Sequence, residues 1–561
     1  MPINPDASYI TSGATHCGAE DSNLPRPSLS SLDTDVVLNI FIYISVRDIL
    51  AIRQTSRHFL AITHLRTVWH AALITKVLSG DLPAPGFAWL SPSRNIDALS
   101  NLSGPALERL TRRATTYHEN WTSASPVPRR RRMLVAAPAT SVVRLCFLPG
   151  HRHLLSYGYT KYEVGTRGHC IQIWDLDVEG TSCVAEFRFD REKGQRVYGL
   201  ALNSLQDVGE VSPRGTFSFS VKSNVNSRID IVQFDPSQKD KEDRLQIIQT
   251  SNRHGPSLAF HGKLLVVMVI SDSAVTVRDW RSGYEVQLLH QGPQDEQCLG
   301  AHITRNGKNV IVFYERSIQI YAVSEPFPPM EQTTPPLDIR PALVLDQIFK
   351  INSIVCSELI SWIQDPKVPS PLSLLVRFDS LFPWPGNVIH HFVLAPDPVY
   401  CHATDAHSDT HLREGRTPYT LPPVLLHSLP SPVRLFGRSD MTMGSYGTAL
   451  WVDSDADGEM VASVVGERIA GRRLVVPPDI SSIIANSGLK PPVNQQHMGF
   501  FNSSNFTLPE STLVGLSEQG ARSSVFSTTP TDGWTTLALD EEMGRIAVAK
   551  TGGFIEVWEY A

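Results

Sequence analysis

The sequence lacks the short motifs that mark the common enzyme classes. None of the patterns G-x-x-x-x-G-K-[ST], G-x-G-x-x-G, H-E-x-x-H or G-x-S-x-G occurs in its 561 residues. Those patterns build a phosphate-binding loop, a zinc protease site and a serine nucleophile turn. We therefore predict no catalytic residues and no cofactor.

The chain also has little net charge, few cysteines and no long apolar run. Its 50 Lys and Arg against 56 Asp and Glu give a net charge of −6, so bulk electrostatics does not call for a nucleic-acid or membrane partner. The longest apolar run, 264–270, suits a buried strand but is far too short to cross a bilayer. Seven scattered cysteines without a C-x-x-C pair indicate reduced thiols, and residues 1–28 are polar without a signal-peptide core. We expect a cytoplasmic or nuclear protein.

Composition divides the chain into four parts. Residues 1–28 are predicted to be a disordered tail, 29–75 a helical domain, 76–131 a helical linker, and 132–561 a β domain. The expected fold class is multidomain and mainly β.

Residues 29–75 show the pattern of three short helices. In the first, Val36, Val37, Ile40, Phe41 and Ile44 recur at helical spacing. The predicted N-cap residues are Asp33 for the first helix, Ser45 with Asp48 for the second, and Thr55 or Ser56 for the third. The third helix leads to Trp69. The apolar residues exceed what one inward face can bury, because Ile42 and Ile44 flank the first helix on different sides.

This segment resembles the F-box, through which substrate receptors of SCF ubiquitin ligases hold Skp1. The resemblance rests on Leu32, the helix from Val36 to Phe41, Asp48-Ile49-Leu50, the 53–57 stretch and Trp69. The family usually opens with Leu-Pro, where this chain has Leu32-Asp33. The resemblance implies a Skp1-like partner bound through Leu32, Val36, Ile40, Ile44, Ile49 and Leu50. An ordinary helical hairpin within a larger core is the alternative.

The linker contains an amphipathic helix followed by four arginines. From Pro105 onward, a stripe running from Leu107 to Trp121 needs a surface to lie on, and the following domain is the nearest candidate. Arg129–Arg132 has the composition of a nuclear-import or phosphate-binding patch, but such a run is more often a solvated lead-in to a domain, which we favour.

From Met133 onward, one strand type recurs seven times: at 170–177, 228–235, 274–283, 317–324, 388–396, 448–455 and 554–560. Repeated strand pairs predict the blades of a β-propeller, here seven. The repeats resemble those of WD40 propellers, although only Trp174-Asp175 carries the signature dipeptide. Because the last repeat ends at 558–561 and leaves no residues for an outer fourth strand, we predict that Met133–Ala137 pairs beside Phe554–Tyr560 and closes the ring.

Two stretches contain metal-ligand residue types. The first holds Cys401, His402, His407 and His411, and the second holds Asp453, Asp455 and Asp457, with Val464 where a calcium loop needs a glutamate. A solvated loop and a blade turn, respectively, are the favoured interpretations, so no metal is predicted.

The sequence thus favours an adaptor in which the F-box binds a Skp1-like protein and the propeller binds a target protein. A propeller enzyme or metal-dependent binding module, with the helices as a packing appendage, is the second hypothesis. The two differ in the burial of Ile40, Ile44 and Leu50, which an appendage would cover and an adaptor would leave partly exposed.

Overall fold

The structure is a computed structural model. It describes residue 29 and residues 32–85, 99–136, 140–161, 167–178, 183–190, 194–204, 215–223, 227–252, 255–269, 274–293, 295–323, 337–346, 350–360, 369–379, 388–397, 418–419, 423–432, 440–454, 466–477, 498–499, 523–529 and 533–561. The predicted tail 1–28 and the Cys/His stretch 401–411 lie outside these residues. No helix within them has the length and apolarity that crossing a membrane requires.

Short helices form the N-terminal unit. They are α1 Thr34–Tyr43, α2 Val46–Arg53, α3 Arg57–Thr63, α4 Arg66–Ala72, which continues as a π-helical segment Leu73–Leu78, and α5 Gly104–Trp121. Their buried apolar residues form one core, which includes Val37, Phe41, Ile49, Phe59, Trp69 and Leu107. Because Leu107 of α5 belongs to this core, the linker helix is part of the helical unit.

Seven sheets make up the rest of the described chain. Blade 1 contains β2 Thr140–Phe147, β3 His153–Lys161, β4 Arg167–Asp175 and β5 Cys183–Arg188; blade 2 contains β6 Arg196–Leu202, β7 Gly215–Lys222, β8 Ser227–Phe234 and β9 Leu245–Ser251; blade 3 contains β10 Ser257–His261, β11 Leu264–Met268, β12 Val275–Asp279, β13 Glu285–Leu288 and β17 Leu337–Ile339; blade 4 contains β14 Cys298–Ile303, β15 Asn309–Tyr314, β16 Ser317–Ala322, β18 Leu343–Asp346 and β26 Met498–Gly499. Blade 5 contains β19 Ile351–Glu358, β20 Leu372–Phe378, β21 Val388–Leu394 and β22 Val424–Pro430; blade 6 contains β23 Met441–Met443, β24 Thr448–Ser454, β25 Glu467–Arg473 and β27 Ser524–Thr529; blade 7 contains β28 Trp534–Asp540, β29 Arg545–Lys550, β30 Phe554–Glu559 and β1 Arg130–Val135.

The sheets form a ring. The first strands of neighbouring blades contact one another, as β28 does with β2 and β10 with β6 and β14, so these strands line the centre. Strands pair antiparallel within a blade, except that β17 and β26 each add a parallel strand at an outer edge. The predicted seven-bladed propeller is confirmed.

The two ends of the propeller share blade 7. β1 pairs antiparallel with β30 from Arg130 opposite Glu559 to Val135 opposite Phe554. The predicted closure is therefore found, but the closing strand begins three residues earlier than Met133. Leu134 is buried, whereas Val135 is exposed, because side chains alternate between the two faces of a strand.

The arginine run is not a lead-in to the domain but part of it, because three of its residues belong to β1. Arg129, Arg130 and Arg131 are exposed, as expected for a solvated run, and Arg132 is half-buried. The Arg129 amide donates to the Glu559 carbonyl at 2.7 Å. The Arg132 guanidinium hydrogen-bonds the carbonyl oxygen of Leu176 and lies 3.7 Å from the Glu559 carboxylate. The pattern of four consecutive charges concealed a strand because its partner lies more than 400 residues away.

Candidate partner-binding surface

Helix α1 has apolar residues on two different sides. Val37 and Phe41 point inward and are buried in the helical core. On the other side, Val36, Ile40 and Tyr43 follow one another at i, i+4 and i+7, which places them on one face. Val36 is 45% exposed and Tyr43 is 83% exposed, and Ile40 is half-buried. We call Val36, Ile40 and Tyr43 the outer face of α1.

Side-chain caps fix where α2 and α3 begin. The Ser45 hydroxyl accepts from the Asp48 amide at 3.1 Å, and the Asp48 carboxylate accepts from the Ser45 amide at 3.3 Å, a complete capping box. The Ser56 hydroxyl accepts from the Phe59 amide and so caps α3. Asp33 occupies the N-cap position of α1, as predicted, but its side chain makes no capping hydrogen bond.

A buried polar group connects α2, α3, α4 and α5. The Arg53 guanidinium donates to both carboxylate oxygens of Glu108, at 2.9 and 3.0 Å, and lies over the Trp69 ring. The Trp69 indole donates to the Thr63 carbonyl at 2.7 Å, as does Arg53 at 3.1 Å. Burial alone would raise the pKa of Glu108, but the hydrogen bonds and charges of Arg53 and then Arg112 outweigh it and lower that pKa. These contacts fix α2, α3, α4 and α5 relative to one another.

The predicted partner-binding residues divide into two groups. Leu32, Ile40, Ile44 and Leu50 are half-buried and Val36 is exposed, whereas Ile49 is completely buried in the helical core. Ile49 therefore supports the surface from inside. The sequence interpretation missed Tyr43, the most exposed residue of the outer face, although its spacing of seven from Val36 was available as a signal.

The helical unit is attached to the propeller through the second half of α5. Tyr117 and Trp121 are buried against blades 6 and 7, and the Trp121 ring lies 4.6 Å from that of Phe526 and 5.1 Å from that of Tyr560 between centroids. The predicted apolar stripe of this helix thus lies on the propeller at its C-terminal end.

Polar contacts reinforce this junction. The Arg113 guanidinium donates to the Met543 carbonyl at 3.0 Å, and the Asn120 amide group donates to the Tyr560 carbonyl at 3.2 Å. From blade 6, the Arg473 guanidinium donates to the carbonyls of Gly80 and Asp81, both at 2.8 Å. The segment expected to be a linker therefore contacts the propeller at Gly80 and Asp81 and again in the second half of α5.

Of the three aspartates that match the front of a calcium loop, only Asp453 is among the described residues. Its buried carboxylate accepts from Arg468 at 2.7 Å and from the Trp451 indole at 3.0 Å. Asp455, Asp457 and Val464 lie outside the described residues, as do Cys401, His402, His407 and His411. In the part of the chain that the structure describes, no three His, Cys, Asp or Glu side chains are grouped as a metal site would require.

Comparison with protein families identifies the helical segment. The model of the F-box domain matches residues 29–71, which contain α1 to α3 and most of α4. This segment is an F-box domain. The chain therefore combines an F-box with a seven-bladed β-propeller, and the sequence-based resemblance is confirmed.

The comparison with curated proteins found no match to the chain. Among solved structures, an active polycomb repressive complex 2 in the basal state has a similar chain, with 12% identity over 77% of this chain and 98% of that chain and a TM-score of 0.43. The WD40 domain of SCAP from fission yeast is similar at 8% identity, over 77% of this chain and 94% of that chain, with a TM-score of 0.39. The fold assignment rests on the strand pairing described above.

Proposed function

We propose that this protein is a substrate-recognition adaptor of an SCF-type ubiquitin ligase. Its F-box binds a Skp1-like protein, and its propeller binds the protein that is to be ubiquitinated. The observation that carries this proposal is the outer face of α1, which lies within the F-box match and carries large apolar side chains that the rest of the described chain leaves open to solvent.

An aligned row of exposed apolar residues is a feature of protein–protein binding sites. Ile40, Ile44 and Leu50 are only half-buried, as expected for an adaptor and not for helices that serve only to pack on the propeller. Burying the side chains of Val36 and Tyr43 on a partner would contribute ~1.5–3 kcal/mol each. These two contributions, added to those of the other F-box contacts, are enough for a specific complex.

In this role the protein catalyses nothing and acts by holding two partners at a fixed separation. Because α5 belongs both to the F-box core and to the packing against blades 6 and 7, the F-box cannot swing freely on the propeller. We infer that a target on the propeller is held in a defined direction relative to the ligase. The five cysteines in the described residues are free thiols, consistent with a cytoplasmic or nuclear location.

The test uses a double variant and a matched control. Val36→Asp with Tyr43→Asp changes only exposed positions of the outer face, so the helical core stays intact. We expect it to weaken the complex with a purified Skp1-like protein by at least about a hundredfold, the equivalent of ~3 kcal/mol.

Ile74→Asp is the control, because Ile74 is 42% exposed in the same helical unit but lies outside the F-box match. It should bind like the unchanged protein. Equal binding by the double variant and the control would refute the proposal.

A further inference from the structure

Strand β1 forms the outer edge of blade 7, whose strands lie in the order β1, β30, β29 and β28. The Ala136 amide donates to the Gly553 carbonyl at 2.8 Å, on the side of β30. Backbone groups of successive residues in such a strand point to alternate sides, so those of Arg131, Met133 and Val135 point away from β30. Within the described residues no strand pairs with this edge. It therefore presents a row of donors and acceptors to which another strand can add.

Two other blades carry an added strand at the corresponding edge. β17 pairs in parallel with β13 of blade 3, and β26 pairs in parallel with β18 of blade 4. Both added strands come from chain segments outside the blade that they join, since β17 follows the third strand of blade 4 and β26 lies between two strands of blade 6. The outer edges of blades 3 and 4 thus accept a strand from elsewhere, and the outer edge of blade 7 has the same kind of backbone groups to offer.

An exposed apolar patch accompanies this edge. The side chains of Arg131, Met133 and Val135 share one face of β1, and all three are exposed. Phe554 lies directly opposite Val135 on β30 and is also exposed. Met133, Val135 and Phe554 therefore lie together beside the open backbone groups. In an added strand, the main chain supplies affinity and alternate side chains supply specificity, so apolar side chains of the added strand would pack on this patch.

Positive charge marks one end of the same edge. The Arg131 guanidinium lies over the Trp558 ring, 5.5 Å from its centroid, and its side chain stays exposed. The acidic residue nearest along this face is Glu556, opposite Met133, and its carboxylate is already paired with Lys550 at 2.6 Å. The charge that complements Arg131 is therefore an acidic residue of a partner. A second copy of β1 cannot supply it, because Arg130–Val135 contains no acid.

We propose that the outer edge of blade 7 binds an extended segment of another protein as a fifth strand. The segment has an acidic residue opposite Arg131 and apolar residues opposite Met133 and Val135. Its pattern is acid–x–apolar–x–apolar if it pairs in parallel, and the reverse if it pairs antiparallel. The inference rests on the proposed function only in assigning this segment to the target of the ligase.

The test measures the binding of short synthetic peptides to the full-length protein by fluorescence anisotropy. The acidic probes are T-E-T-V-T-V-T and its reverse, T-V-T-V-T-E-T, which cover both strand directions. One of them should bind at least about fivefold more tightly than the same peptide with Lys in place of Glu, because cross-strand charge pairs favour opposite signs. Methylating the backbone nitrogens of that probe should weaken binding at least about tenfold, through loss of the ladder hydrogen bonds.

Variants of the protein locate the site. Arg131→Glu should reverse the preference, so that the Lys probe binds more tightly than the Glu probe, and Val135→Lys should weaken the acidic probe at least about fivefold. The matched controls lie on the outer strands of other blades. They are Arg188→Glu on β5, whose side chain is 73% exposed, and Ile247→Lys on β9, which is 42% exposed. Both should bind the probes like the unchanged protein.

The probe comparisons on the unchanged protein decide the matter even if a variant fails to fold. Equal binding of the Glu and Lys probes, undiminished binding of the methylated probe, or no binding of either acidic probe would overturn the proposal. Self-association in sedimentation that Val135→Lys abolishes would make a second copy the occupant and would overturn it as well. None of these assays contains a Skp1-like protein, so their failure would leave the function proposed for the F-box untouched.

Discussion

Replacing Trp121 should loosen the junction between the F-box and the propeller. The Trp121 side chain is 2% exposed and packs edge-on or tilted against Tyr117, Phe526 and Tyr560. Trp→Ala changes at such buried sites cost ~3–5 kcal/mol through lost burial and the cavity that remains. The indole Nε1 has no hydrogen-bond partner among the described residues, so Trp121→Phe should cost much less.

The assay is amide hydrogen exchange, because a protein with several domains does not have one well-defined unfolding free energy. Trp121→Ala should speed exchange in α5 and β30 by roughly a hundredfold or more, the equivalent of about 3 kcal/mol. Val127→Ala, at an exposed position just after the same helix, should change it by less than about threefold. Unchanged exchange in α5 and β30 of a folded Trp121→Ala protein would refute the account of the junction.

Three further predictions concern the ring and its ions. Deleting 1–128 leaves β1 in place and uncovers only the surface around Phe526, whereas deleting 1–138 also removes β1 and exposes the edge of β30. The second protein should aggregate in size-exclusion chromatography and the first should stay soluble. Equal solubility of the two would contradict the closure. The His151 ring, in blade 1, lies 2.9 Å from the carboxylates of Asp540 and Glu542 in blade 7. Burial alone would lower the pKa of His151, but the hydrogen bonds and charges of the two carboxylates raise that pKa to about 10. A raised pKa stabilises the fold below pH 6.5 and loses this effect as the pH rises through 10, so His151→Gln should lower the melting temperature at pH 6.5 and much less at pH 10. Zinc, calcium or a chelator should leave the melting temperature unchanged, whereas an ion at a hundred times its dissociation constant would add ~2.7 kcal/mol.

The sequence predicted those parts of the fold that depend on neighbouring residues. The Ser45–Asp48 capping box and the Ser56 cap are local, and both are present. The alternating strands of the blades are local as well. Six of the seven recurring strands are the third strand of their blade, but Thr448–Ser454 is the second strand of blade 6.

Features that depend on distant contacts could not be predicted in detail. Four consecutive arginines give no alternating pattern, so β1 was recognised only from Met133 onward. Ile49 and Val36 are both apolar in the sequence, and only the packing of the helices against one another distinguishes the buried residue from the exposed one.

The central claim is that the F-box of this chain binds a Skp1-like protein through the outer face of α1. Hydrogen exchange of the full-length protein with and without a purified Skp1-like protein tests it most directly. We expect protection of α1 and α2 on complex formation, with unchanged exchange in the propeller blades that lie away from α5. Protection confined to the propeller, or none at saturating partner, would contradict the claim.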